Sequence, residues 1–185
     1  MHQSWFSDLY PPIWLITDAR NDEILESSIA ALPRGSGIIF RHYHLPPKER
    51  RNRFQAIRAC ARRYGHILLL AGPPSLARRW GADGVHGRQW KRHQTAGLLH
   101  SAPVHDTREI WLANHHGADV IFLSPAHTTR SHPEQKPLNH IQLRRLIGLC
   151  RKPVILLGGM DAQRFQKYED LGAHGWAAID SLSAQ

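Results

Sequence analysis

The sequence predicts a single (β/α)8 TIM barrel, compact for its class and with a truncated last helix. Short apolar segments alternate with helical segments eight times along the 185 residues, a pattern typical of parallel strands joined by helices. The predicted strands are apolar on both faces, as expected of a sheet that helices cover. The connections are short and equivalent, which favours a closed barrel over the alternative, an open flavodoxin-like sheet. We expect one domain over residues 1–185, with residues 1–11 as an N-terminal extension.

The eight strands are placed where short apolar runs end at Gly, Pro or polar residues. They are predicted at residues 13–16, 37–40, 66–71, 81–85, 97–102, 120–123, 153–157 and 172–179. Helices are predicted where apolar residues recur at helical spacing, at residues 24–32, 48–63, 75–80, 107–116, 137–150 and 161–171. Residues 21–23 supply a cap and acidic groups for the first helix. In the helix at 137–150 we expect Ile141, Leu146 and Ile147 to face inward.

The composition is that of a globular protein, and we expect it to work in the cytoplasm. The apolar share is 42%, the apolar runs are far shorter than a membrane span, and the N-terminus lacks the pattern of a signal peptide. Cys60 and Cys150 are expected to be thiols in a reducing compartment.

The net charge of +9 raises nucleic acid as a partner. Much of that excess lies in the helix at 48–63 without a recognition motif, so nucleic acid is the least favoured partner.

The loops after the strands carry function in such a barrel. Strand seven ends in Gly158-Gly159, which opens a helix with backbone N–H groups and without a side chain to block a phosphate. Together with Ala178 and Ile179 after strand eight, these glycines predict the phosphate site common in this fold. A tight turn without a ligand is the alternative.

Each loop is numbered by the strand that it follows. Loop six therefore begins just past the buried strand at 120–123, and it holds hydroxyl, imidazole and guanidinium groups. Thr129 and Ser131 alternate, so both hydroxyls can face one ligand. Arg130, or Arg41 of loop two, can hold a phosphate or diphosphate through paired N–H donors. For Arg41 a salt bridge at the barrel rim is the alternative. The segment is predicted to form one wall of an anion-binding site.

Histidines at the strand ends are candidates for proton transfer near neutral pH. His105, His127 and His132 follow strands five and six, although a merely hydrogen-bonded loop histidine is the alternative for each. His42 and His44 could form a metal pair, but a third ligand does not stand at a suggestive spacing. From the residues alone we therefore expect no metal site.

Several motifs run along the chain in a specific order. They are Leu15-Ile-Thr-Asp18, Phe40-Arg41, Gly81-Ala-Asp-Gly-Val-His86, His105 with Glu109, Gly117-Ala-Asp119, Leu123-Ser-Pro125 with Thr129-Arg-Ser-His-Pro133, Leu157-Gly-Gly159, and Gly172-Ala with Ala177-Ala-Ile179. In this order and spacing, the chain resembles the thiamine phosphate synthase and TenI-like thiazole tautomerase family over nearly its whole length. The resemblance implies the same barrel and a role in thiamine biosynthesis.

The resemblance also implies substrates and residue roles. Family synthases join hydroxymethylpyrimidine diphosphate to thiazole phosphate with Mg²⁺ and release diphosphate, whereas tautomerase relatives aromatise the thiazole phosphate without metal. By position, Arg41 would contact the diphosphate, and Thr129 and Ser131 would line the diphosphate or thiazole side. The segments 158–159 and 178–179 would hold the thiazole phosphate.

The chain departs from the synthase pattern where that pattern binds Mg²⁺. Ala71-Gly72 stands in place of Asn-Asp after strand three, and His86-Gly-Arg-Gln-Trp-Lys91 lacks the Asp expected after strand four. Ile39 stands where the pattern has Gln, and His132 stands where it has the Lys of loop six. Pro125 occupies the position of the working histidine of the tautomerases.

Three functions therefore stay open at this point. The first is a thiamine phosphate synthase, the only one for which Mg²⁺ is expected. The second is a metal-free thiazole tautomerase that acts through His127, His105 or His132. The third is a non-catalytic binder or sensor of phosphorylated thiazole or thiamine compounds. The near absence of the last helix predicts an apolar strip on the barrel wall and a homodimer.

Overall fold

Eight parallel strands close into a barrel in chain order in the computed structural model, which describes residues 9–89, 91–128 and 136–182. The strands are β1 Ile13–Ile16, β2 Gly37–Phe40, β3 Ile67–Ala71, β4 Gly84–His86, β5 Leu99–Val104, β6 Val120–Leu123, β7 Val154–Leu157 and β8 Gly175–Ala178. β8 pairs with β1, for example Trp176 with Ile13. The predicted barrel is confirmed, and the open-sheet alternative is wrong.

Seven helices surround the barrel in the described part of the chain. They are α1 Leu25–Ala31, α2 Pro47–Tyr64, α3 Pro74–Trp80, α4 Arg92–Thr95, α5 Thr107–His115, α6 His140–Leu149 and α7 Ala162–Gln166. Short 3-10 turns lie before α1, at Ala19–Asn21, and after α7, at Glu169–Leu171. After β8 the described residues form turns, and the truncated last helix stays a prediction. None of the described helices is long and apolar enough to cross a membrane.

Gly81 shows why some strands begin later than the sequence pattern suggested. It ends α3 in the left-handed conformation, with φ 73°, and its N–H donates to the last carbonyl groups of the helix. Gly81 therefore belongs to the helix cap, and β4 begins at Gly84 rather than at residue 81. β5 likewise begins at Leu99 and extends to Val104, two residues beyond the predicted end.

The entry of the chain into α1 differs from the prediction. Asp18, rather than a residue at 21–23, supplies a side-chain cap, and it caps the 3-10 turn that precedes the helix. α1 begins only at Leu25, without a side-chain hydrogen bond at its N-cap. Asn21 is buried, and its side-chain amide donates to the carbonyl oxygens of Ile16 and Ile179. The predicted capping residue therefore joins the ends of β1 and β8 instead.

Apolar side chains fill the barrel and the layer between the strands and the helices. Inside the barrel, Trp14 packs edge-on against Phe122 with 5.3 Å between the ring centroids. In α6 the inward residues are Leu143, Leu146 and Ile147. The prediction for Ile141 is wrong, because this side chain is 80% exposed. The stripe at positions 143, 146 and 147 has the i, i+3, i+4 spacing of one helix face, and position 141 lies off it.

Candidate active site

A cavity of about 650 Å³ opens at the carboxyl end of the barrel. Residues at or after the ends of β2, β4, β5, β6, β7 and β8 line it, which is where functional sites lie in this fold. Its size is that of a small-molecule site. Six residues that the sequence analysis selected line it together: Arg41, His105, Gly158, Gly159, Ala178 and Ile179.

Arg41 follows β2, and its guanidinium lies at the cavity wall. Its Nη2 is 2.6 Å from Oδ2 of Asp18, so the rim salt bridge expected as an alternative is present. Nε of Arg20 is 3.1 Å from the other oxygen of the same carboxylate. Burial raises the pKa of Asp18, but hydrogen bonds from Arg20 and Arg41 outweigh it and place the pKa below its usual value. One carboxylate does not use all five N–H donors of a guanidinium, and the buried Nε of Arg41 lacks a partner among the described residues.

A half-buried arginine of α2 holds the backbone beneath Arg41. Nε and Nη2 of Arg50 lie 2.9 and 2.7 Å from the carbonyl oxygen of Arg41, and Nη2 lies 2.8 Å from that of Ala71. The guanidinium also lies 5.1 Å from the ring centroid of Tyr43 and 5.6 Å from that of Trp80. These contacts join the ends of β2 and β3. They hold the backbone of Arg41 in place and so position its side chain.

His105 is oriented by the first turn of α5. The carboxylate of Glu109 accepts from the backbone N–H of His105 and lies 2.8 Å from Nδ1 of its ring. The other oxygen of Glu109 lies 2.5 Å from Nη2 of Arg88, in the loop after β4. Because Glu109 engages Nδ1, Nε2 is the ring nitrogen of His105 that remains for a ligand. The same carboxylate thus fixes a histidine at the cavity and an arginine beside it.

His86, at the end of β4, lines the cavity although the sequence analysis did not select it. Its Nδ1 lies 2.8 Å from Oγ of Ser101. Burial lowers the pKa of His86 to about 3, and the charges of Arg41 and His100 act in the same direction. The imidazole is therefore neutral at physiological pH, and it presents a hydrogen-bonding group rather than a charge to the cavity.

The low pKa of His86 makes folding stability depend on pH. Below an unfolded-state pKa of about 6.5, the unfolded chain binds a proton that the folded chain does not, so stability falls as the pH falls and levels off near pH 3. We expect the wild type to lose about 1–2 kcal/mol more than His86→Gln between pH 7 and pH 5. Urea unfolding at each pH measures this. The exposed His115→Gln should behave like the wild type, and equal losses in His86→Gln and wild type would contradict the assignment.

The loops after β7 and β8 form the wall of the cavity at which the sequence predicts a phosphate site. Gly159 has φ 58°, and a Cβ at this position would lie 2.5 Å from the carbonyl oxygen of Thr128. The backbone N–H of His127 donates to the carbonyl oxygen of Gly158 at 2.9 Å. Loop six therefore packs directly on the glycine pair, and only glycine fits at 159. The turn predicted as the alternative is present, and it lies at the wall of the cavity.

Charged residues flank this wall. Arg164 lines the cavity, donates to the carbonyl oxygen of Gly159 and pairs with Asp161 at 3.4 Å. Asp180 also lines the cavity, 3.5 Å from Nη1 of Arg20. Oγ of Ser181 donates to the carbonyl oxygen of Met160 at 2.7 Å and so connects loops seven and eight. The two lining carboxylates are thus both paired with arginines.

His127 is the remaining predicted residue that lies within the described part of the chain. It does not line the cavity, and its Nε2 lies 2.8 Å from the hydroxyl of Tyr168. Burial, together with the charge of Arg164, lowers the pKa of His127. Four further predicted residues lie outside the described residues: Thr129, Arg130, Ser131 and His132.

Several residues that line this cavity were not predicted from the sequence. His86 ends the motif Gly81-Ala-Asp-Gly-Val-His86, which supports the family resemblance. The motif alone did not predict that His86 lines the cavity. Arg20 and Arg164 each stand two or three residues after a capping Asp, Asp18 and Asp161, at the start of a helical turn. An Asp at this position predicts a helix cap, but it does not predict that the side chain of Arg20 or Arg164 lines the cavity.

The described residues do not fit a magnesium site at the positions where the synthase pattern has one. The loop after β3 is Gly72-Pro73, and Nε2 of Gln89, in the loop after β4, donates to the carbonyl oxygen of Gly72 at 3.3 Å. Mg²⁺ in proteins is held by carboxylates and water, whereas these two loops bring in the positive charge of Arg88. No step of a reaction is therefore assigned to magnesium.

Comparison with known proteins agrees with the fold. The model of a family described as thiamine monophosphate synthase matches residues 13–182. The chain belongs to the thiamine monophosphate synthase family. The resemblance inferred from the motifs is confirmed, and the match to the thiamine monophosphate synthase family extends over all eight strands.

Individual relatives cover nearly the same length. A protein of Aquifex aeolicus (strain VF5), provisionally named thiamine-phosphate synthase 2, is 27% identical over 178 residues, which cover 91% of this chain and 96% of that protein. A thiamine-phosphate synthase of Alcanivorax borkumensis is 25% identical over 94% of this chain and 85% of its own length. The structure of thiamine phosphate pyrophosphorylase from Pyrococcus furiosus matches with a TM-score of 0.79 at 21% identity, covering 94% of this chain and 88% of that one. This last likeness supports the barrel fold.

Proposed function

We propose that the chain is an enzyme of thiamine biosynthesis that binds thiazole phosphate and joins it to hydroxymethylpyrimidine diphosphate, giving thiamine phosphate and diphosphate. The observation that carries the proposal is that one cavity is lined both by the glycine pair with the end of β8 and by Arg41, which follows β2. Backbone N–H groups and a guanidinium at one cavity suit two substrates that each carry an anionic group.

The phosphate of the thiazole would lie against loops seven and eight. Gly158, Gly159, Ala178 and Ile179 present backbone and small or apolar side chains there, so a phosphate can approach the main chain closely. Arg164 adds a cation to the same wall. Because Asp161 offsets part of its charge, the backbone has to supply a share of the anion's hydrogen bonds.

The diphosphate of the pyrimidine would lie against loops two, four and five. Diphosphate leaves as an anion, so fixed cations around it stabilise the transition state. Arg41 lies at the cavity wall, and Arg88 is held beside His105 by Glu109. In the proposal these arginines neutralise the charge at the place where synthases use carboxylate-bound Mg²⁺. The predicted contributions of Thr129, Arg130 and Ser131 remain part of the proposal.

The phosphate wall can be tested by placing a negative charge on it. Ser181→Glu adds a carboxylate at the cavity wall and should weaken thiazole phosphate binding by about tenfold or more, because two like charges in a partly enclosed site repel by about 1–4 kcal/mol. Isothermal titration calorimetry with thiazole phosphate measures the dissociation constant.

Two controls separate charge from lost contacts. Ser181→Ala removes the hydrogen bond to Met160 without adding charge, and it should bind within about threefold of the wild type. Ser27→Glu makes the same charge change on the exposed face of α1, away from the cavity, and should bind like the wild type. Equal binding by Ser181→Glu and the wild type would contradict this placement of the phosphate.

A metal-free tautomerase is the second candidate, because His105 lies at the cavity with Nδ1 held by Glu109. A histidine oriented in this way can move a proton through Nε2. Conversion of the non-aromatic thiazole phosphate tautomer, followed by its ultraviolet spectrum with and without the pyrimidine substrate, distinguishes this candidate. Turnover that needs no pyrimidine and is lost in His105→Ala would favour the tautomerase, and binding without any turnover would favour the non-catalytic binder or sensor.

The setting in which the protein acts is also part of the proposal. Cys60 and Cys150 are free thiols in the structure, which fits the reducing cytoplasm. The predicted homodimer remains a prediction, and light scattering checks it against the chain mass of 21.1 kDa.

A further inference from the structure

A group of side chains of the types that ligate metal ions lies on the loops after β1 and β2, outside the lining of the cavity. It consists of Asp22, His42 and His44, and one ligand atom of each lies within 4.8 Å of the others. Nε2 of His42 is 2.8 Å from Oδ1 of Asp22. The rings of His42 and His44 are 5.2 Å apart between centroids. The sequence offered the two histidines without a third ligand, and the fold supplies Asp22 from the preceding loop.

His42 is held in one orientation from three sides. Its backbone has φ 36°, a left-handed conformation that is uncommon for a residue other than glycine. Its ring stacks on Phe40 with 4.6 Å between centroids and 6° between planes. Nδ1 is 2.7 Å from Oγ1 of Thr17, so Nε2 is the nitrogen that points at Asp22. A ligating histidine is usually fixed in this way, through a hydrogen bond at its other ring nitrogen.

The charges around the cluster leave room for a cation. Nε of Arg53 lies 2.6 Å from Oδ1 of Asp22, the same oxygen that His42 contacts, so within the described residues Oδ2 is left for another partner. Arg53 also pairs with Glu26. One guanidinium therefore faces two carboxylates, and with neutral histidines the group carries one net negative charge. His44 is exposed, which gives an ion access from solvent.

We propose that Asp22, His42 and His44 bind a divalent transition-metal ion of the zinc class, with water completing a tetrahedral shell. Two imidazoles and one carboxylate suit Zn²⁺, whereas Mg²⁺ prefers oxygen ligands alone. The ion would tie the loop after β1 to the loop after β2. Thr17 links this site to the cavity, because its hydroxyl contacts His42 and accepts from the backbone N–H of Arg41 at 3.0 Å. The proposal does not depend on the proposed enzymatic function.

Metal binding by the whole, untagged chain tests the proposal. The protein is stripped with a chelator, and Zn²⁺ is titrated by calorimetry, with the bound metal counted by mass spectrometry after gel filtration. Twelve of the fourteen histidines of the chain lie outside the proposed site and offer other weak sites, so the comparison with matched variants decides. His44→Ala removes an exposed ligand, and His115→Ala removes an exposed histidine from α5 as its control.

We expect the wild type and His115→Ala to bind one tight equivalent of Zn²⁺, and His44→Ala to bind it at least about tenfold more weakly. Co²⁺ should give the intense visible absorption of a tetrahedral site in the wild type, and His44→Ala should lose it. Equal Zn²⁺ affinity in His44→Ala and wild type would overturn the proposal, as would a wild type that retains no metal after gel filtration. In either case Asp22 and His42 form only a hydrogen bond between the two loops.

Discussion

Replacing Arg41 with glutamine is expected to lower thiamine phosphate formation by about a hundredfold or more, the cost of removing one preorganised donor from a developing anion. Arg41 lies at the cavity wall, and its backbone is fixed by Arg50 and Thr17. The lost salt bridge to Asp18 is partly exposed, so the melting temperature should change little. Initial rates of thiamine phosphate formation, together with thermal unfolding, measure both effects.

The control for this prediction is Arg51→Gln. Arg51 is exposed on α2 and does not line the cavity, so this variant loses the same charge without touching the proposed site. It should keep the wild-type rate. Arg41→Lys should stay well below the wild type, because an ammonium group does not reproduce the paired donors of a guanidinium. Full activity in Arg41→Gln would remove Arg41 from the account.

Replacing Gly37 with alanine is expected to destabilise the barrel by about 3 kcal/mol or more, at the upper end of overpacking costs. Gly37 begins β2, and a Cβ there would lie 2.1 Å from the ring of Trp14. Trp14 is fully buried inside the barrel and packs on Phe122, so its ring has little room to move. Urea denaturation measures the change in the free energy of unfolding.

Two further variants test this explanation. Gly148→Ala changes a glycine of α6 that has open space around it, and it should stabilise the protein by about 0.5–1 kcal/mol. In a Trp14→Leu background, Gly37→Ala should cost less than about 1 kcal/mol, since the ring that opposes the new methyl group is gone. An equal cost in both backgrounds would show that the contact with Trp14 is not the cause.

The sequence pattern was sufficient for the barrel because strand identity depends on local runs of apolar residues. It also placed Gly158 and Gly159 in the loop after β7, since the two glycines directly follow an apolar strand. It failed for Ile141, where a single apolar residue near a helix start was read as part of the buried stripe. Helix phase is set by the tertiary contacts of the whole stripe, and one residue does not define it.

Contacts between loops that are distant in the sequence could not be predicted from the sequence pattern. Asp22 lies 20 residues before His42, so the third ligand of the proposed metal site becomes visible only when β1 and β2 pair. Glu109 links Arg88 of loop four with His105 of loop five for the same reason. The low pKa of His86 likewise depends on burial beside Arg41, a residue from another strand end.

The most direct test of the account is whether the purified chain makes thiamine phosphate. The protein is incubated with thiazole phosphate and hydroxymethylpyrimidine diphosphate over a range of Mg²⁺ concentrations, including a chelator control, and both products are quantified. We expect thiamine phosphate and diphosphate in equal amounts, at a rate that Arg41→Gln lowers and Arg51→Gln leaves unchanged. Absence of thiamine phosphate at every Mg²⁺ concentration would contradict it.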